Sequence, residues 1–121
     1  MGIPKQKMKT QRIYALVLGI ILTAVGIFGF FMPDILGIFH VNIPHTIYHL
    51  AVGLIGIYCG IWTMGRGYNV IVGWVFIALA VLGFIPGISE LLASSLRINT
   101  ADNILHLTLG IVTLGVYYLA E

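Results

Sequence analysis

The sequence predicts an all-α integral membrane protein: a four-transmembrane-helix bundle built from two repeated helical hairpins related by a pseudo-two-fold axis along the membrane normal. Three observations lead there. Of 121 residues, 60% are hydrophobic and 8% charged, with mean hydropathy +1.05, far too apolar for a soluble domain of this length. Four apolar stretches, at about 13–32, 43–64, 68–85 and 100–120, approach the ~20 residues a helix needs to cross ~30 Å of hydrocarbon. The chain also repeats itself. At an offset of 57 residues, Asn42 meets Asn99, His45 meets Asp102, His49 meets His106, Leu50 meets Leu107 and Gly53 meets Gly110. Residues 1–121 therefore read as one membrane domain with halves at about 1–65 and 66–121.

The spans consume nearly the whole chain and leave no room for a soluble catalytic domain. The sequence has no Gly-rich phosphate loop, no Ser-His-Asp set in reach and no basic stripe with stacking aromatics. It is read as no enzyme and no nucleic-acid binder. Four of the six basic residues, Lys5, Lys7, Lys9 and Arg12, lie together at the N-terminus, first as a topology signal and second as a contact for lipid headgroups. The apolar run after them ends at Pro33-Asp34 without a small-x-small site, so it reads as an uncleaved span. The single cysteine, Cys59, falls inside a span and offers no disulfide framework.

The first span carries Ala15, Gly19 and Thr23 at intervals of four, a small-residue face that another helix can approach closely. Pro33 and Asp34 stop it. The connection from Asp34 to Val41 stays apolar and is expected in the membrane interface. Asn42 is suited to cap the second span, with Pro44 in its first turn. There His49, Gly53, Gly56 and Gly60 fall on one stripe. Gly65-Arg66-Gly67 makes a polar turn, flanked by Trp62, Tyr68 and Trp74 at interface depth. The third span ends at Gly83-Phe84-Ile85-Pro86, echoing Gly29-Phe30-Phe31-Met32-Pro33. Residues 87–98 predict a short amphipathic helix on the membrane, with Ser89 as its cap. Asn99 or Thr100 opens the fourth span, whose stripe is His106, Gly110, Thr113 and Tyr117.

Orientation follows from charge. Five basic residues lie on the side of the N-terminus, the Arg66 turn and the C-terminus, whereas the opposite side has Arg97 against Asp34, Glu90 and Asp102. Both termini are expected in the cytoplasm of a bacterial inner membrane, with the histidines near the outer face. Two helices per half give both halves the same orientation.

His45 and His49, four apart, share a helical face, and Asp102 with His106 repeats the spacing as carboxylate and imidazole. Together the four supply three nitrogens and one oxygen, a set suited to zinc, copper or iron if the second and fourth spans meet. A related reading uses His49 and His106 as axial ligands of a haem or pigment, with Gly53 and Gly110 leaving space for a flat ring and Arg97 as the single propionate partner. The bland alternative is that the histidines hydrogen-bond neighbouring helices and hold the bundle together, with Asn42 and Asn99 as caps and Asp102 placed by the helix dipole.

The pattern Val41-Asn42-x-x-His45-x-x-x-His49-Leu50-x-x-Gly53, preceded by Leu36-Gly37-Ile38-Phe39, resembles the signature of small bacterial four-helix membrane proteins known only as a domain of unknown function. The resemblance covers nearly the whole chain and implies fold and membrane location, with no activity to carry over. It differs at Thr46, where an asparagine is common in that family. The second copy keeps Asn103 but has Asp102 in place of the first histidine.

The function put first is therefore a structural or accessory membrane protein, packing through its glycine faces against other membrane proteins or in a homo-oligomer. Metal or haem binding is the alternative. A transporter or channel would need a polar path, and the inner halves of the spans offer almost none.

Overall fold

The computed structural model describes residues 5–32 and 34–120. Pro33, named above as a stop for the first span, lies outside the described residues, as do the side chains of Lys5 and Lys7. The chain forms α1 (Lys5–Gly29), a small hairpin of β1 (Asp34–Ile35) and β2 (Phe39–His40), α2 (Ile43–Trp62), α3 (Arg66–Gly83), α4 (Ile88–Leu96) and α5 (Thr100–Leu119). In hydrocarbon each backbone N–H and C=O must be satisfied within the protein, which an uninterrupted helix does.

Among the described residues, three helices are long and apolar enough to cross a membrane: Lys9–Gly29, Ile43–Trp62 and Arg66–Gly83. The fourth expected span, α5, is 20 residues long, but Asp102, Asn103, His106, Thr108 and Thr113 dilute its apolar character. The helix of the first span reaches beyond the apolar run at its start. It starts at Lys5 and ends at Gly29, where Phe30 and Phe31 donate to the carbonyls three residues back, Ile27 and Phe28, at 3.2 and 3.0 Å; such tightened bonds close a helix end.

α1 packs along α2 and α3 packs along α5. Small residues set both contacts. A Cβ at Gly19 would fall 2.5 Å from the Ile57 nitrogen, and one at Gly53 would strike the Thr23 backbone. In the second pair, Gly73 lies against Leu114, Gly110 against Ile77 and Gly83 against Asn103. The glycine faces are thus consumed inside the chain. Ala15, Leu18 and Leu22 of α1 join Tyr68, Val72 and Phe76 of α3 in the apolar core that ties the two pairs. Large apolar residues such as Ile20, Phe28, Ile55, Ile71 and Ile111 point outward, while polar Gln11, Thr46, Asn69 and Thr113 are buried. That distribution suits a lipid surround.

The end bearing the chain start is locked by polar bonds. Gln11 Nε2 donates to Val116 O at 2.8 Å, and Asn69 Nδ2 donates to Gln11 Oε1 at 2.9 Å. The Arg12 guanidinium donates to Ile61 O at 2.9 Å, while Tyr14 and Thr113 share a hydroxyl hydrogen bond of 2.6 Å. Arg12 thereby reaches a carbonyl in the last turn of α2, and Gln11 shares the Val116 carbonyl near the end of α5 with the Ala120 N–H. This end of the helices is therefore more polar than its hydropathy indicated, yet these groups bond to one another and to backbone.

At the other end two connections cover the helices. The connection expected in the interface forms the β1–β2 hairpin, with Asp34 opposite His40. Its turn puts Leu36 at φ 56° and Gly37 at φ 72°. The amphipathic helix forms as expected, as α4, but its start is held by Glu90, whose Oε2 accepts the Gly87 N–H at 2.6 Å, and not by Ser89. Arg97, at φ 57°, ends α4 and reaches Asp34 Oδ1 at 2.9 Å, joining it to the hairpin.

Candidate metal centre

Two asparagines start the helices that carry the histidines. Asn42 Oδ1 accepts the His45 N–H at 3.0 Å, and Asn99 Oδ1 accepts the Asp102 N–H at 2.8 Å; both are N-caps of the ordinary kind. Their amides cross between the halves: Asn42 Nδ2 donates to Ser95 O at 2.9 Å and Asn99 Nδ2 to Ile38 O at 2.8 Å. Each cap thereby fastens its helix to the opposite connection, fixing how deep the next residues sit. His49 and His106 each lie six residues past the first helical residue, ~9 Å along the axis at 1.5 Å per residue.

No Cα of α2 comes within 8 Å of a Cα of α5. The gap is bridged by imidazoles. His45 and His49 have ring centroids 4.4 Å apart, and His106 lies 6.0 Å from the first and 6.3 Å from the second. One ring nitrogen from each of the three falls within 4.8 Å of the others. The rings are 2%, 7% and 2% exposed.

Their hydrogen bonding is incomplete. His45 Nδ1 lies 3.0 Å from Leu96 O, and because a carbonyl only accepts, Nδ1 carries the proton and Nε2 a lone pair. His45 Nε2, His49 Nδ1 and His106 Nδ1 are buried without a partner among the described residues. A buried polar atom left unpaired costs roughly 1–3 kcal/mol, so three such rings packed against one another favour a group that would satisfy their free nitrogens. Phe76 stacks on His106 at 5.5 Å and fixes its plane.

Asp102 belongs to the same end but not to the imidazole cluster. Its Oδ2 accepts the Asn99 N–H at 3.0 Å and the His40 N–H at 3.3 Å, which joins the start of α5 to β2. His40 Nε2 itself lies 3.5 Å from Asp34 Oδ1. Of the four residues expected to act together, the structure groups the three histidines and gives Asp102 a capping bond.

The cavity among His45, Tyr48, Leu79, Leu96, Ile98 and His106 has a volume of about 40 Å³. That is the scale of one ion or water, far below a macrocycle. The space that Gly53 and Gly110 were expected to leave for a flat ring is filled by Thr23 and Ile77, and Arg97 is engaged with Asp34. Gln11, Tyr14 and Asn69, which shape the opposite end, escaped the sequence reading; Gln11 is hidden among basic residues and Asn69 follows a turn.

Fold and site together define a class: a small all-helical chain, three of its helices fit to cross a membrane, closed at one end over buried imidazoles. The chain belongs to the family described as Domain of unknown function (DUF4383), whose model matches residues 12–119. No curated protein and no solved structure matches it.

Proposed function

We propose that this is a metal-binding integral membrane protein whose centre is built by His45, His49 and His106. The observation that carries the reading is that three buried histidines bring one ring nitrogen each to within 4.8 Å of the others, and that each of these rings has a nitrogen without a partner among the described residues. Drawn onto one ion at ~2.0–2.1 Å, they would stand ~3.3 Å apart, a closure of side-chain size. Imidazole suits zinc, copper and iron. The His45 bond to Leu96 O is the kind of outer contact that orients a ligating histidine. Three protein ligands would leave a fourth position open.

Elemental analysis of tag-free protein in mild detergent tests this. Near-stoichiometric zinc, copper or iron in the wild type, lost in the His49→Ala, His106→Ala double variant, supports it; protein that neither carries nor takes up these metals refutes it.

The same proposal places the centre in a bundle of four spans, with α5 crossing beside the other three, both termini cytoplasmic, in a bacterial inner membrane. Paired contacts support two related hairpins. Gly19 against Ile57 corresponds to Gly73 against Leu114, Thr23 with Gly53 to Ile77 with Gly110, and Gly29 with Thr46 to Gly83 with Asn103. The α1-to-α3 offset is 54 and the α2-to-α5 offset 57. The difference is the extra length of the connection that holds α4. Asn42 to Ser95 and Asn99 to Ile38 exchange in the same way.

A second reading keeps the histidines as struts of a structural or accessory subunit. The Leu96 bond and the Phe76 stack favour it. It predicts loss of fold, not of metal, when the rings are removed.

A further inference from the structure

We infer that the open position of this centre faces the bilayer through a cleft between α1 and α5, and that it takes the carboxylate of a fatty-acid-like amphiphile. The inference rests on the metal reading and names its ligand class.

The cleft encloses about 220 Å³ between Ile21 and Val25 of α1 and Leu105 of α5, roofed by Phe39 of the hairpin, with His49 and His106 in its wall. Its lining is otherwise almost wholly apolar, and Ile21 and the roofing Leu36 are exposed on the side where lipid would lie. Two of the unpartnered nitrogens, His49 Nδ1 and His106 Nδ1, belong to rings in that wall. An apolar cleft ending on a few convergent polar groups is the usual form of a small-molecule site. This one is smaller than the ~300–1,000 Å³ of a drug-sized pocket, so it holds a headgroup and the first carbons of a chain whose tail stays in lipid.

Charge selects the headgroup. Three neutral imidazoles leave a divalent ion with both its charges in a medium that penalises them. Asp102 lines the same cleft and contributes one negative charge. One more anionic oxygen brings the site to neutrality, and a carboxylate on an alkyl chain supplies both that oxygen and a tail matched to the apolar walls. A neutral alcohol lacks the charge and a short acid lacks the tail.

The test uses Co(II)-loaded protein in nanodiscs of fatty-acid-free lipid, read by the visible d–d bands of the bound ion. Decanoate, decanol and acetate are titrated separately. Saturable one-to-one binding of decanoate, at least tenfold tighter than acetate or decanol and weakened at least tenfold in Val25→Trp, supports the inference. The comparison among the three probes stands on wild-type protein if Val25→Trp does not fold. Bound Co(II) whose bands ignore decanoate, or respond equally to acetate, overturns the inference and leaves the metal centre standing. Protein that binds none of Co(II), zinc, copper and iron at the three histidines overturns both.

Discussion

His45 donates its Nδ1 proton to the carbonyl oxygen of Leu96 at 3.0 Å. The bond crosses from the first turn of α2 to the last residue of α4, so the covering helix sets the tautomer of the imidazole beneath it. Structural and ligand roles of this ring can then be separated atom by atom. Asparagine places an N–H near the position of Nδ1 and nothing at Nε2. The His45→Asn variant is expected to keep its thermal midpoint close to wild type while losing at least about tenfold to a hundredfold in metal affinity. Equal loss of both would return His45 to a packing role.

Leu36 sits at φ 56° ahead of Gly37 at φ 72°, and its side chain is 79% exposed. The left-handed region costs a branched L residue roughly 1–2 kcal/mol, and Asn-Gly is favoured where two such residues follow each other in a hairpin. Leu36→Asn should therefore stabilise the protein by about 1 kcal/mol. Thermal unfolding in detergent measures it, and a lower midpoint would mean that Leu36 makes a lipid or cleft contact outweighing the strain.

Two glycines give opposite signs. At Gly53 an added Cβ strikes the Thr23 backbone, whereas at Gly67, early in α3, it meets nothing within 4 Å. Gly53→Ala should cost about 1–3 kcal/mol by forcing α1 and α2 apart. Gly67→Ala should gain up to about 1 kcal/mol from helix propensity. Denaturation in mixed detergent micelles compares the two directly.

The Gln11 and Asn69 bonds tie α1, α3 and α5 together at the end away from the histidines. Hydrogen bonds between membrane helices average ~0.6 kcal/mol and reach ~1.7. Asn69→Ala should destabilise within that range and leave metal stoichiometry unchanged. A change in metal content would couple the two ends through the bundle.

Much of the fold was legible because lipid imposes simple demands. Long apolar runs had to be helices, and the small-residue faces at Gly19 and Gly53 had to be contacts. The caps at Asn42 and Asn99 could be read from residue type and the following turn. The histidine stripe pointed to the same end from both halves. Other features depend on tertiary placement. The Asp34–His40 pairing has only two residues per strand, too few to leave an alternation. Glu90 displaced Ser89 at the start of α4 because a carboxylate three residues in reaches back to the Gly87 N–H. Asp102 follows Asn99 at capping distance, and its Oδ2 accepts the Asn99 amide as that spacing allows; its second bond, from the His40 amide, depends on where β2 lies. Tyr14 and Thr113 became partners across 99 residues of chain, beyond any local pattern.

The most direct measurement is X-ray absorption at the edge of the metal bound to purified protein. The three-histidine centre predicts a shell of three imidazole nitrogens at ~2.0–2.1 Å with one further light ligand, the distances typical of zinc, and the imidazole signal should fall in His49→Ala, His106→Ala protein. A shell of oxygens alone, or one unchanged in that variant, would contradict it.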